Sequence, residues 1–387
     1  MNIAVAFLII YLFLLLPDAY IVFGVINNFS WWWKALFLLP TVVYIAVIIK
    51  LIIASNPSQS LMNLVLWLTL GIFFPILIFT IISLLGKLLG LAWHVAPMVF
   101  NWIGLAGAIF WLVITVYGST VGWKKVEVVK EKFSFSSLPS SFNGYKIVQL
   151  SDFHIGTYST TPETVEYIID KVNSLNPDLI VFTGDLVNNS PDEIKPFVPL
   201  LSKLKAKDGV ISILGNHDYC LYKRYDSPDG PQKALEGVVE LEKESGWTML
   251  RNETLQIRRG NDSIAVIGVE NAGDKHFIDR SDLKKALKNV PENEFKILLS
   301  HDPTHWRREV LPKSNIDLTL SGHTHGMQFK LGNFTPSKWT YNEWGGQYNE
   351  GERTLYVSTG IGGNVAFRFG VYPKIILITL ENKHSNF

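Results

Sequence analysis

The chain has 387 residues and a formal net charge of +1, yet residues 1–122 hold only four of its Asp, Glu, Lys and Arg side chains: Asp18, Lys34, Lys50 and Lys87. The remainder is about a quarter charged, which is ordinary for a soluble domain. This split excludes a single soluble globule and a transporter with no soluble part. It predicts a membrane region over residues 1–123 and one soluble domain over 124–387, long enough to bury its own core. Neither part is strongly basic, so no nucleic-acid partner is expected. The single cysteine, Cys220, cannot form an internal disulfide, which allows a reducing compartment.

Four apolar stretches, at roughly 3–26, 35–55, 61–85 and 97–122, are each long enough to cross a bilayer. Together they predict an all-α bundle of four transmembrane helices. Trp31, Trp32, Trp33, Trp93, Trp102 and Trp123 fall near predicted helix ends, where amphipathic rings favour the headgroup layer. The first stretch lacks a basic leading region and a small-x-small cleavage site, so a retained helix is expected and not a signal peptide. Lys50, Lys124, Lys125, Lys130 and Lys132 fall on one side of this topology, and Lys34 and Lys87 on the other. The asymmetry predicts a multi-pass protein of the inner membrane with its soluble domain in the cytoplasm. Asp18 follows Pro17 inside the first stretch. An acid at that depth is a functional candidate; the plainer reading is a helix broken at Pro17, with Asp18 near an interface.

From residue 124 the pattern changes to short β-like runs alternating with helical segments. Val126–Phe135 reads as a leading strand. Lys146–Leu150, Leu179–Thr183, Gly209–Leu214, Lys296–Leu299 and Asp317–Leu320 read as buried strands ending in polar residues. Pro162–Leu175, Ile194–Leu204, Pro231–Ser245 and Ser281–Lys288 read as helices. A hairpin (Thr254–Ile257, Ile264–Val269) and two terminal strands (Leu355–Ser358, Lys374–Leu380) complete an α/β domain. Residues 219–230 and 326–350 read as long loops, the second rich in aromatic residues.

Each predicted strand end delivers residues of metal-ligand type. In chain order they are Asp152-Phe153-His154, Gly184-Asp185, Gly215-Asn216-His217-Asp218, Ser300-His301-Asp302 and Gly322-His323-Thr324-His325-Gly326. Carboxylate, imidazole and amide donors without thiolate suit a hard-to-borderline divalent ion such as Mn, Fe or Zn. One such block is ordinary turn chemistry, but five at successive strand ends point to a metal centre. His276, His305, His94 and His384 have no matching partner and read as surface or packing residues; Asp302 reads as a supporting residue or a cap before Pro303.

These motifs resemble the calcineurin-like metallophosphoesterase superfamily, whose pattern is D-x-H, G-D, G-N-H-[DE], a later His, and G-H-x-H. The resemblance covers about residues 143–380. The tail Ser358-Thr359-Gly360-Ile361-Gly362-Gly363 with Arg368 is similar to its membrane-associated bacterial branch, departing at Met327, often Gly there, and Lys374, often Glu. The resemblance implies a four-layer αββα sandwich of two mixed sheets. It also implies two divalent ions, one held by Asp152, His154, Asp185 and His325, the other by Asp185, Asn216, His301 and His323. Water acidified between them would attack phosphorus, with His217 protonating the leaving oxygen or stabilising developing charge, and Asp218 either orienting that imidazole or capping a turn. The expected activity is a membrane-anchored phosphoesterase whose substrate is a phosphate ester or pyrophosphate, one reading being a lipid-linked one. The loop holding Trp339, Tyr341, Trp344 and Tyr348 could then dip toward the bilayer. UDP-diacylglucosamine pyrophosphatases of lipid A synthesis are the alternative, although that branch typically has Arg where this chain has His217. A non-catalytic receptor or transporter would show degenerate ligands, and none is degenerate here.

Overall fold

The computed structural model describes residues 15–54, 56–274 and 277–384. The chain divides into two compact units, Met1–Thr120 and Val121–Phe387.

Three described helices of the first unit are long and apolar enough to span a membrane: α1 (Trp31–Ile53), α2 (Gln59–Leu89) and α3 (Ala96–Thr120). The first half of the first predicted stretch falls on residues 1–14, outside the described residues; its second half contains a short apolar helix, Leu16–Val25. Pro17 sits in the first turn of this helix, where its missing N–H costs little; a break before it would fall on residues outside those described. Asp18 is buried in the unit. Ser58 caps α2, accepting from the Leu61 amide at 3.3 Å. A π-turn at Thr69–Phe73 precedes Pro75 and widens the helix where proline cannot donate. α2 and α3 lie close because Gly86 leaves no side chain to meet Phe100. Tyr20 and Ser83 share a hydrogen bond of 2.8 Å between neighbouring helices.

The second unit holds two six-stranded mixed sheets. One contains β1 (Glu127–Phe135), β2 (Tyr145–Leu150), β3 (Leu179–Phe182), β4 (Val210–Ser212), β5 (Thr248–Met249) and β12 (Lys374–Asn382), in the order β1-β12-β2-β3-β4-β5. The other contains β6 (Glu253–Arg259), β7 (Asp262–Gly268), β8 (Phe295–Leu299), β9 (Leu318–Ser321), β10 (Gly346–Glu350) and β11 (Arg353–Val357), in the order β10-β11-β9-β8-β7-β6. β2 through β5 run parallel, as do β7, β8, β9 and β11. Period-two alternation sorts the apolar side chains into layers. Ile147, Val181 and Ile211 of the first sheet meet Val266, Ile297 and Leu320 of the second in one core. On the opposite face of the first sheet, Val148, Ile180 and Phe182 pack against α4 (Pro162–Ser174) and α5 (Gly230–Glu244) through Val165, Ile168 and Val238. The outer face of the second sheet carries Ile267, Leu298 and Val357 beneath Leu283, Trp306 and Val310. The result is the expected helix–sheet–sheet–helix sandwich.

Two predicted helices shrink. Residues 194–204 form only short turns, with Pro196 and Pro199 removing donors, and 281–288 keep one turn, Leu283–Ala286. β5 and β10 were not expected from the sequence.

Candidate metal centre

The parallel strands of both sheets deliver their C-terminal ends to one place, the usual location of chemistry in such sheets. β2 leads to Asp152 and His154, β3 to Asp185, β4 to Asn216 and His217, β8 to His301, and β9 to His323 and His325. Asp152, His154, Asp185, His323 and His325 all have positive φ, between 47° and 74°. Non-glycine residues reach this left-handed region at a cost of about 1–2 kcal/mol each. The backbone thus turns the side chains inward directly after each strand instead of continuing its pleat. Gly215 has no side chain because Asp185 fills the space a Cβ would take.

The side chains form two groups that share Asp185. Asp152, His154, Asp185 and His325 offer ligand atoms within 4.8 Å of one another, and Asp185, His301 and His323 do the same. Asp185 Oδ2 lies 3.6 Å from His154 Nε2 and 3.1 Å from His301 Nε2. In the first group His154 Nε2 faces His325 Nε2 at 3.2 Å, and in the second His323 Nδ1 faces His301 Nε2 at 3.3 Å. Asn216 donates its amide to the Tyr222 hydroxyl at 2.8 Å, which leaves its buried Oδ1 without a partner among the described residues. Converging nitrogen lone pairs, a shared carboxylate and an orphaned amide oxygen fit divalent cations.

The electrostatics agree. Burial holds the His154 and His325 imidazoles well below their usual range and brings His323 down to about 4, so these rings are neutral ligands in waiting. Burial opposes charge on Asp185, but His301 and His217 beside it hold its carboxyl well below the ordinary carboxylate range. Burial also disfavours a charged His301, yet Asp185 draws its pKa up to about 10.

His217 presents its Nδ1 to the Asn188 carbonyl at 2.7 Å, and its Nε2 stands 3.4 Å from the Asn364 amide. Of the two readings of Asp218, its contacts match turn capping and not orientation of the His217 ring. Its carboxylate accepts from the backbone amides of Asp185, Leu186, Val187 and Gly215 at 2.7–3.2 Å and so braces the turn that presents Asp185. The reason is geometric: the turn after β4 points Asp218 at four unpaired amides, and a carboxylate is their best acceptor. Asp302 accepts from the Thr304 amide and hydroxyl, as a cap before Pro303. His305 is buried between Ser300 and Glu309 as a packing residue; His276 lies outside the described residues.

Two contributors had no distinguishing mark in the sequence. Tyr341 places its hydroxyl 2.9 Å from His323 Nε2, and Tyr222 holds Asn216 as above; both come from loops with no spacing signal. Arg368, noted in the tail, is fully buried and donates to the carbonyls of Thr359, Gly362 and Val371. It fastens the loop whose Gly362 amide donates to the Asp152 carbonyl at 2.8 Å. Met327, at the position often occupied by Gly, has φ 47°, which explains that preference.

The αββα sandwich with metal-binding side chains at its strand ends defines a metal-dependent hydrolase. The model of the family described as calcineurin-like phosphoesterase matches residues 145–327. The "Uncharacterized metallophosphoesterase YkuE" of Bacillus subtilis is 32% identical over 268 residues, 66% of this chain and 86% of its own length. This chain belongs to the calcineurin-like phosphoesterases. A Danio rerio "Transmembrane protein with metallophosphoesterase domain" is 30% identical over 302 residues, 75% of this chain and 65% of that protein. "UDP-2,3-diacylglucosamine pyrophosphatase LpxG" of Chlamydia trachomatis is 29% identical over 297 residues, 62% of this chain and 86% of that protein.

Proposed function

We propose that this chain is a membrane-anchored phosphoesterase that holds two divalent ions and hydrolyses a phosphate ester or pyrophosphate carried on a lipid. The observation that carries the two-ion reading is the pair of imidazole–imidazole approaches, 3.2 and 3.3 Å, in two groups that share Asp185. Asp152, His154, Asp185 and His325 would hold one ion. Asp185, Asn216, His301 and His323 would hold the other, with Mn, Fe or Zn the best match to these donors. Bound ions supply Lewis acidity toward a phosphoryl oxygen and acidify water. The protein's own part is orientation and proton transfer. With Nδ1–H donating to the Asn188 carbonyl, His217 as an imidazolium has a second N–H, at Nε2, whose proton it can give to the leaving oxygen, ending as the neutral Nδ1–H ring. Asp218 serves by holding the Asp185 turn.

The spanning helices favour a substrate presented by the bilayer, since anchoring alone needs one helix. The Chlamydia relative favours the pyrophosphatase version of this reading. The lysine asymmetry favours an inner-membrane protein with the catalytic unit in the cytoplasm. A complete ligand set speaks against a receptor that only binds.

The test is turnover by detergent-solubilised full-length protein, stripped by chelation and then resupplied with each metal, against aryl phosphates, lipid phosphates and nucleotide-linked lipids. Metal-restored hydrolysis of a lipid-borne phosphate is expected. Absence of turnover on every substrate with every metal would overturn the proposal.

A further inference from the structure

Large exposed apolar side chains of the second unit gather beside the metal centre. Trp339 is 78% exposed, Phe334 47% and Leu331 45%, and all three lie in the segment between His325 and Tyr341. Leu331 and Phe334 face each other across a tight turn, joined by backbone hydrogen bonds of 2.9 and 3.0 Å, and the Trp339 ring packs edge-on against Phe334 at 5.4 Å. Their exposure is not looseness. Thr335 donates to the Gly326 carbonyl at 3.0 Å, and Phe329 stacks on Phe369 at 5.9 Å, fastening the segment to the loop Arg368 holds. The other aromatic residues of the loop face inward: Tyr341 bonds His323, and the Tyr348 hydroxyl caps the Trp344 and Gly345 amides. A soluble surface would not keep a fixed tryptophan–phenylalanine–leucine ridge in water without a use for it.

Residues 327–342 contain Lys330 and Lys338 and no acidic residue. Aromatic and aliphatic tips flanked by lysines match a bilayer interface, where rings sit among headgroups and lysines meet anionic lipid. A bilayer is also the one partner this chain carries with it, through three helices able to span one. We propose that Leu331, Phe334 and Trp339 insert into the interface of an anionic bilayer and set the metal centre at the membrane surface. This deepens the lipid-substrate reading above and rests on it only for its kinetic consequence. The ridge is tied to both sides of the site, through Gly326 beside His325 and through Tyr341 on His323. Seating it in lipid therefore brings the centre to headgroup level.

The direct test is spin labelling of full-length protein in anionic lipid nanodiscs, with Phe334→Cys labelled and Leu255→Cys as control, since the native Cys220 is buried. The expected result at 334 is high accessibility to oxygen and low accessibility to a water-soluble nickel complex, with the reverse at 255. An aqueous profile at 334 would overturn the proposal. The triple variant Leu331→Ser, Phe334→Ser, Trp339→Ser changes exposed side chains only. It should keep aryl phosphatase activity in detergent and lose ~10-fold or more on lipid phosphate in vesicles, as loss of interfacial anchoring predicts. Equal activity of variant and parent on vesicles would overturn the coupling to substrate. A membrane-buried label on a protein that hydrolyses nothing would leave the surface standing and remove the proposed function instead.

Discussion

His217 and Asp218 are adjacent in sequence and do different work. With Nδ1 on the Asn188 carbonyl and Nε2 toward Asn364, His217 can act on substrate without leaving its position. His217→Ala should keep bound metal and lose ~10²–10⁴-fold turnover on alkyl or lipid phosphates, but much less on an activated aryl phosphate. Metal content by elemental analysis and rates on both substrates check this; equal losses would indicate electrostatic stabilisation in place of proton donation. Asp185→Asn should lose both metal and turnover, because both groups depend on its charge. Glu242 on α5 makes a separate test of burial. It is fully buried, and burial together with Asp218 holds its pKa well above the usual value. The folded state then binds this proton more tightly than the unfolded chain, so its contribution to stability falls as pH rises above the ordinary glutamate range near 4.5. Glu242→Gln removes that dependence. Its Tm should exceed the parent's at pH 8, by ~1 kcal/mol or more of stability, and the gap should shrink at pH 5.

The turns after the strands set the stability of the centre. Five ligand-type residues are held with positive φ, and a bound ion offsets that strain because it binds only the folded arrangement. Chelation of purified protein should therefore lower Tm by several degrees, with metal return restoring it. Asp185→Asn should respond much less. Asp218→Ala strips four buried amides of their acceptor and should cost ~3–5 kcal/mol, whereas His217→Ala should barely move Tm. These strand ends were legible in the sequence because an apolar run followed at once by Gly, Asp, Asn or His fits a buried strand turning into a site better than it fits a helix or a surface loop. Elements without such punctuation were not. Gly346–Glu350 is a polar edge strand with no buried alternation, so β10 was hidden in a predicted loop. Residues 194–204 carry helical apolar spacing, but two prolines break the ladder that spacing presumes. Tyr222 and Tyr341 reach the ligands only through the path of their loops, which no periodicity records.

For the whole molecule, the uneven charge predicts a membrane region to residue 123 and a soluble domain from 124. What it could not supply was the burial of Asp18 within the first or the exposed ridge of the second. A reporter active only outside the cytoplasm, fused after residue 387, should stay silent; its activity would reverse the orientation and leave the chemistry untouched. One further consequence lies in the pairing of β12. This strand sits between β1, to which it is parallel, and β2, to which it is antiparallel. It fills an interior position in the first sheet, while its neighbours were made some 230–250 residues earlier. At ordinary elongation rates that interval is roughly tens of seconds, during which β1 and β2 wait as unpaired edges. The sheet closes only once β12 has been made. A chain cut after residue 377 would thus lose more than half of an interior strand, and quality control would meet a chain with an open sheet.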